Sequence, residues 1–154
     1  MRRSRQAAID ELGRAMQRYQ RSVQAFDDAV GRMLDLGPAD LRCLDWLTGG
    51  PMTAGQLTVA TGLRPAATTA LIDRLEARGL VQRVRSENDR RQVLVEMTSE
   101  GHARTWEAYG ALVEEGQSLL QKFTIAELDQ MRDHLDAIRE LTDRHRERIT
   151  KPHR

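Results

Sequence analysis

A single cysteine, Cys43, means that no disulfide can form within the chain. No leader-like apolar segment opens the sequence, and no run approaches the ~20 apolar residues a membrane helix needs. A soluble, cytoplasmic protein with no membrane partner is therefore expected. Net charge is lacking too: +1 over a chain that is 31% charged leaves no global basicity to attract a polyanion. Lysine is nearly absent, occurring only at Lys122 and Lys151. Arginine makes bidentate contacts to phosphate and guanine that lysine cannot, although compositional bias of the source genome is the simpler account. The four histidines, His102, His134, His145 and His153, share no metal-ligand spacing with Cys43 or with carboxylates. Neither a glycine-rich phosphate loop nor a nucleophile motif is present, so no enzyme, cofactor or metal is expected. The paired acids Asp27–Asp28 and Glu114–Glu115 lie on helical stretches and read as solvated faces.

What is present is concentrated in one run, Leu63 to Thr98, within a chain of 154 residues that suits one domain. Pro65 sets the first turn of a helix, where its missing N–H costs nothing. At 100° per residue, Thr68, Leu71, Ile72 and Leu75 share an inner face, while Ala66, Thr69, Ala70 and Asp73 share the outer one, with Arg74 beside them. The outer face is small-sided and can approach another surface closely. Gly79 supplies the left-handed residue that ends such a helix. Leu80–Arg85 and Val93–Met97 then alternate with a strand period, and residues 86–92 form a polar, charged tip. Between Arg64 and Arg91 there are seven arginines and four carboxylates, an excess of three that leaves the remainder at −2. A small-faced helix followed by a ribbon with an arginine tip is the order of parts in a winged helix-turn-helix. An ordinary helix–hairpin fits the same features, since fold does not fix function.

Before this run, Arg2, Arg3 and Arg5 form a short basic start, read as a solvated terminus. Ile9, Leu12, Met16, Tyr19, Val23, Phe26, Val30 and Met33 follow at alternating steps of three and four. This heptad spacing predicts a long helix, over 5–33, that packs on another long helix and serves partly as a subunit contact. Gly37–Pro38 starts a second helix running to about Thr48, with Leu41, Leu44 and Leu47 inward and Cys43 a buried structural thiol. Trp46 is expected in the core, with the lining of a ligand cavity as the other reading. Thr53 and Gln56 form a capping box, with Met52 and Leu57 as its staple. The short helix they begin ends at Gly62 and completes a helix-turn-helix. Beyond the ribbon, Thr98 or Ser99 caps a helix carrying Trp106, Tyr109, Leu112, Val113, Leu119 and Leu120. Thr124 and Glu127 form a second capping box, and the last helix runs to about Arg148, with Lys151–Arg154 as a tail.

Three motifs carry a family resemblance. They are Leu75-Glu76-Ala77-Arg78-Gly79-Leu80-Val81, the tip Asp89-Arg90-Arg91, and Val95-Glu96-Met97-Thr98-Ser99-Glu100-Gly101. With a long helix before them and two after, the chain resembles the MarR family of bacterial transcriptional regulators over essentially its full length. The resemblance implies a mostly α fold with a small β-ribbon. A winged helix-turn-helix lobe over 36–98 would be joined to a helical dimerisation region from the N- and C-terminal helices, 5–33 and 99–148. It implies a homodimer with a recognition helix, about 65–78, in each major groove and a wing, 86–92, at the minor groove. Arg64, Pro65, Ala66, Ala67, Thr68, Thr69 and Ala70 align with the reading half of that helix, and Asp73 and Arg74 lie near the DNA. By the same resemblance, Arg91 would be the wing arginine, Asp89 would hold it or the turn, and Arg90 would point to phosphate. It also implies release by a small aromatic or phenolic effector, whose binding residues the sequence does not mark.

From Pro65 to Ala70 the reading half lacks the arginine, lysine, asparagine or glutamine best suited to bidentate base contacts. Thr69 and the alanine methyls can meet thymine methyls, and Asp73 can accept from a cytosine amine. The helical wheel turns Thr68 inward despite its family position. Arg64 and Arg74 are left as the candidates for a guanine or phosphate contact, and more of the binding is expected to depend on the wing and on DNA shape. The leading expectation is a repressor on a pseudo-palindromic double-stranded DNA operator. A winged-helix module for protein–protein contact, without DNA binding, is the alternative.

Overall fold

Leu57, Leu71, Ile72, Leu75, Leu80, Val81 and Val95, none more than 2% exposed, are the aliphatic centre around which the first helices and the sheet assemble. Burying each such side chain is worth about 1.5–3 kcal/mol before entropy is counted. In the computed structural model, residues 4–87, 89 and 91–150 are described. Six helices, α1 (Arg5–Leu34), α2 (Pro38–Thr48), α3 (Ala54–Thr61), α4 (Pro65–Ala77), α5 (Ser99–Leu120) and α6 (Ile125–Thr150), accompany strands β1 (Met52–Thr53), β2 (Val81–Arg85) and β3 (Val93–Met97). The chain divides between Ala108 and Tyr109 into two compact units. No helix among the described residues is long and apolar enough to cross a membrane.

In the first unit, the Ser4 hydroxyl caps α1 by accepting from the Ala7 N–H at 3.1 Å. Only Val30, Gly31 and Leu34 of this 30-residue helix are buried. Met16 and Phe26 are half-buried, and the other members of its heptad stripe stand in the open, with Leu12 61% exposed. Asp35 ends the helix in the left-handed region at φ 52. Arg78, at the C-terminal end of α4, donates to the carbonyl oxygens of Leu34, at 2.8 Å, and Asp35. α2 turns Cys43, Leu44 and Leu47 inward. Trp46 corrects the sequence reading: with the inner face of α2 already occupied, its ring lies outside the core at 46% exposure.

Cys43 is fully buried and its thiol is pushed up to about 11, chiefly by desolvation and secondarily by the nearby Asp40 charge. The unfolded thiol ionises near 9.0, so its contribution to stability is present below that pH and is lost as pH rises through about 11. Native protein at pH 8 is expected to resist a disulfide-exchange reagent for as long as it stays folded, and one thiol should react on addition of denaturant. Rapid labelling of the folded protein would contradict this burial.

The Thr53–Gln56 capping box is formed reciprocally, at 2.8 Å and 3.1 Å, and Gly62 closes α3 at φ 72. The same Met52–Thr53 pair also adds a strand. Met52 pairs with Val95 and Thr53 with Leu94, so the expected two-stranded ribbon is the larger part of a three-stranded sheet ordered β1-β3-β2. Two residues carry no measurable period, which is why the alternation in the sequence did not reveal them. β2 and β3 pair antiparallel from Val81↔Met97 out to Arg85↔Val93.

α4 stops as its sequence requires. Gly79 takes φ 70, its N–H bonds the Glu76 carbonyl at 2.9 Å, and the Leu80 N–H reaches back to Leu75 at 3.0 Å, a Schellman closure. Thr98 locks this turn to the start of α5. Its hydroxyl donates to the Gly79 carbonyl at 2.6 Å and accepts from the Gly101 N–H at 2.9 Å, while its own N–H bonds the Leu80 carbonyl at 3.1 Å.

In the second unit, α6 begins at the Thr124–Glu127 capping box, with bonds of 2.8 Å and 3.3 Å. No residue of α6 is buried. Arg132 and Arg139 pair with Asp129, Asp133, Asp136 and Asp143 along one side. Ile125, Met131, Leu135 and Leu141 are exposed.

Candidate nucleic-acid interface

The outer face of α4 is built by Pro65, Ala66, Ala67, Thr69 and Ala70, all exposed, with Arg64 in the N-cap position. The exposed Thr69 uses its hydroxyl to bond the Pro65 carbonyl at 3.1 Å. Thr68 is 1% exposed, and its hydroxyl bonds the Arg64 carbonyl at 3.2 Å. It belongs to the core face, as the helical wheel requires, and has no surface to offer a base. The alignment with the family's reading half is corrected at this position.

The next turn of α4 is electrostatically occupied. Asp73 accepts from Arg83 of β2 at 2.7 Å, and Glu76 accepts from the same guanidinium and from the Arg83 backbone N–H at 3.2 Å. The hydrogen bond that Arg83 donates to Asp73, partly opposed by desolvation and reinforced by Glu76, raises the guanidinium above its ordinary pKa. Arg74 pairs with Asp40, which is only 5% exposed and also accepts from the Gly37 N–H at 2.9 Å. Removing Arg74 would leave that buried carboxylate without its countercharge, a costly state. Asp73 and Arg74 therefore sit beside the reading surface with their charges already committed.

The wing tip is closed by its own backbone. Ser86 N–H bonds the Gln92 carbonyl at 3.0 Å, Gln92 N–H bonds the Asp89 carbonyl at 2.9 Å, and Asp89 N–H bonds the Ser86 hydroxyl at 3.3 Å. Asp89 accepts from the backbone N–H of Arg91 at 3.0 Å, so of the two sequence alternatives it holds the turn rather than the guanidinium. Arg90 lies outside the described residues. Arg91 is exposed and, among the described residues, no carboxylate pairs with it. The same is true of Arg64 and of Arg85.

The six described arginines of this region thus divide by partner. Arg74, Arg78 and Arg83 are spent on internal acceptors. Arg64 and Arg91 stand free at the helix start and the ribbon tip, with Arg85 on the last residue of β2. Arg85 was not singled out from the sequence. Its signal was its place two residues beyond Arg83, on the same strand face but farther from the helix. Among the described residues, no cluster of three or more histidine, cysteine or acidic side chains is arranged to hold a metal.

A helix with a small outer face, flanked by free arginines on a ribbon, is the geometry of a winged helix. Residues 34–92 match the profile of the MarR family. The HTH-type transcriptional regulator YcgE of Bacillus subtilis is 38% identical over 105 residues, 68% of either chain. The chain belongs to the MarR family of transcriptional regulators. A second Bacillus subtilis regulator, YhbI, is 28% identical over 114 residues, 70% of this chain and 74% of that one. A MarR family protein from Bacillus stearothermophilus superposes with a TM-score of 0.65 at 22% identity, covering 92% of this chain and 99% of its own. The BldR regulator of Sulfolobus solfataricus gives 0.56 at 25% identity, with 93% and 99% covered. MarR-family members are transcriptional regulators and not enzymes.

Proposed function

We propose that this MarR-family chain is a homodimeric repressor of a pseudo-palindromic double-stranded DNA operator. In this reading the lobe 36–98 binds DNA, and the helices of 5–33 and 99–148 make the dimer. α4 enters the major groove with Arg64, Pro65, Ala66, Ala67, Thr69 and Ala70, while Arg85, Arg90 and Arg91 contact phosphate or the adjacent minor groove. The observation that carries it is the small outer face of α4 bracketed by Arg64, Arg85 and Arg91, which no carboxylate among the described residues claims. A groove-facing surface needs both close approach and uncommitted cations. Dimerisation is supported by the exposed apolar residues of α1, α5 and α6, among them Leu12, Leu112 and Leu135, on long helices that a partner would cover.

A two-fold dimer of such lobes requires half-sites about one helical turn apart. Footprinting the purified protein on DNA upstream of its own gene should show two protected tracts with that spacing. Uniform or absent protection at low salt would refute the operator reading. The resemblance to the family supports release by a small aromatic or phenolic anion, which must favour a lobe spacing that misfits the grooves. Loss of the footprint on adding salicylate is the expected sign of such release.

A further inference from the structure

If α4 lies in the major groove, two of its side chains bring the wrong charge. Asp73 and Glu76 sit one turn apart on the same helix, where unpaired carboxylates would repel the phosphates on either side of the groove. Arg83 meets both of them. One terminal nitrogen bonds Asp73 at 2.7 Å, the other bonds Glu76, and the Arg83 backbone N–H takes the second Glu76 oxygen at 3.2 Å. Resting on the DNA-binding reading above, we propose that Arg83 is a positioning residue with two linked tasks. It cancels the two carboxylates of the reading helix, and it pins the middle of β2 to α4, so that helix and wing meet DNA as one unit.

The chemistry favours arginine for both tasks. Its planar fork can serve two carboxylates at once, whereas a lysine ammonium acts as a point charge. Both terminal nitrogens are engaged internally, and the side chain is 33% exposed. Arg83 therefore acts through the acids and through the ribbon rather than by gripping phosphate. The free arginines, Arg85 and Arg91, lie farther out on the arm that this pin orients.

The test compares wild type, Arg83→Gln, Arg83→Lys and Arg83→Gln/Asp73→Asn on two duplexes, the upstream DNA and a random sequence, over a range of salt. The double variant has the same net charge as wild type. Arg83→Gln is expected to weaken binding to both duplexes about tenfold at low salt, with the slope of log affinity against log salt unchanged, because no phosphate contact is lost. Arg83→Lys should fall between the two. The double variant should recover part of the loss, because one of the two carboxylates left bare by Arg83→Gln is gone. Unchanged affinity in Arg83→Gln would overturn the proposal. So would a slope shallower by about one with no recovery in the double variant, which would make Arg83 a phosphate contact. The pairs are partly exposed and contribute little to folding, so all variants should melt near wild type. Wild type preferring neither duplex would refute the operator reading alone, since the Arg83 comparison stands on either DNA. Wild type retaining neither duplex at low salt would overturn both.

Discussion

Gly101→Ala is expected to lose roughly 3 kcal/mol of folding stability, although alanine is the better helix former by about 1 kcal/mol at an ordinary position. The reversal of sign comes from one contact. A Cβ on Gly101 would sit 2.1 Å from the Leu80 carbonyl oxygen and 3.0 Å from its carbon. Neither atom can retreat without loss. The Leu80 carbonyl accepts from Thr98, and the Leu80 side chain is in the core. Moving it disturbs the turn that ends α4 and the bonds that begin α5. Urea unfolding at fixed protein concentration, which matters for a dimer, would measure the loss as a lower midpoint. A neutral or stabilised variant would show that α5 can slide away from the turn.

Arg91→Ala is expected to weaken operator binding about tenfold at low salt and to make the salt slope shallower by about one. The guanidinium is exposed, unpaired among the described residues and mounted on a turn that Asp89 fixes through the Arg91 backbone. Little of its binding energy would be spent on ordering the loop. Asp89→Ala should also weaken binding, but with the slope retained, because it loosens the turn and removes no cation. Anisotropy titrations at several salt concentrations separate the two. An Arg91→Ala variant with unchanged affinity and slope would remove the tip from the interface.

The readable parts of this protein are those decided within a turn or two of the chain. Thr53 with Gln56, Thr124 with Glu127, Pro65 and Gly79 each act on neighbours three or four residues away, and each does in the structure what its position dictates. The wheel for α4 was a sounder guide to Thr68 than the alignment, because burial is set by the period of the helix and not by the family pattern. What could not be read are the partners of charged side chains. Asp40 lies 34 residues from Arg74, and Leu34 lies 44 from Arg78. Nothing local distinguishes those arginines from Arg64 or Arg91. The charge excess of three counted along the chain therefore hid which of the arginines are uncommitted. β1 escaped for a related reason, since its pairing with β3 is supplied from 43 residues away, at Met52↔Val95.

Arg74 and Arg78 have a mechanical meaning together. One turn apart on α4, they anchor it to Asp40 at the start of α2 and to the last carbonyls of α1. Three helices meeting at charged joints behave as a braced frame, in which α4 cannot roll about its own axis unless a buried carboxylate loses its partner. Such a frame would transmit a shift at the end of α1 to α4 with little slack. If α4 reads DNA as proposed, an imperfect operator would have to be accommodated by the outer reach of the ribbon or by bending of the DNA, rather than by adjustment of that helix.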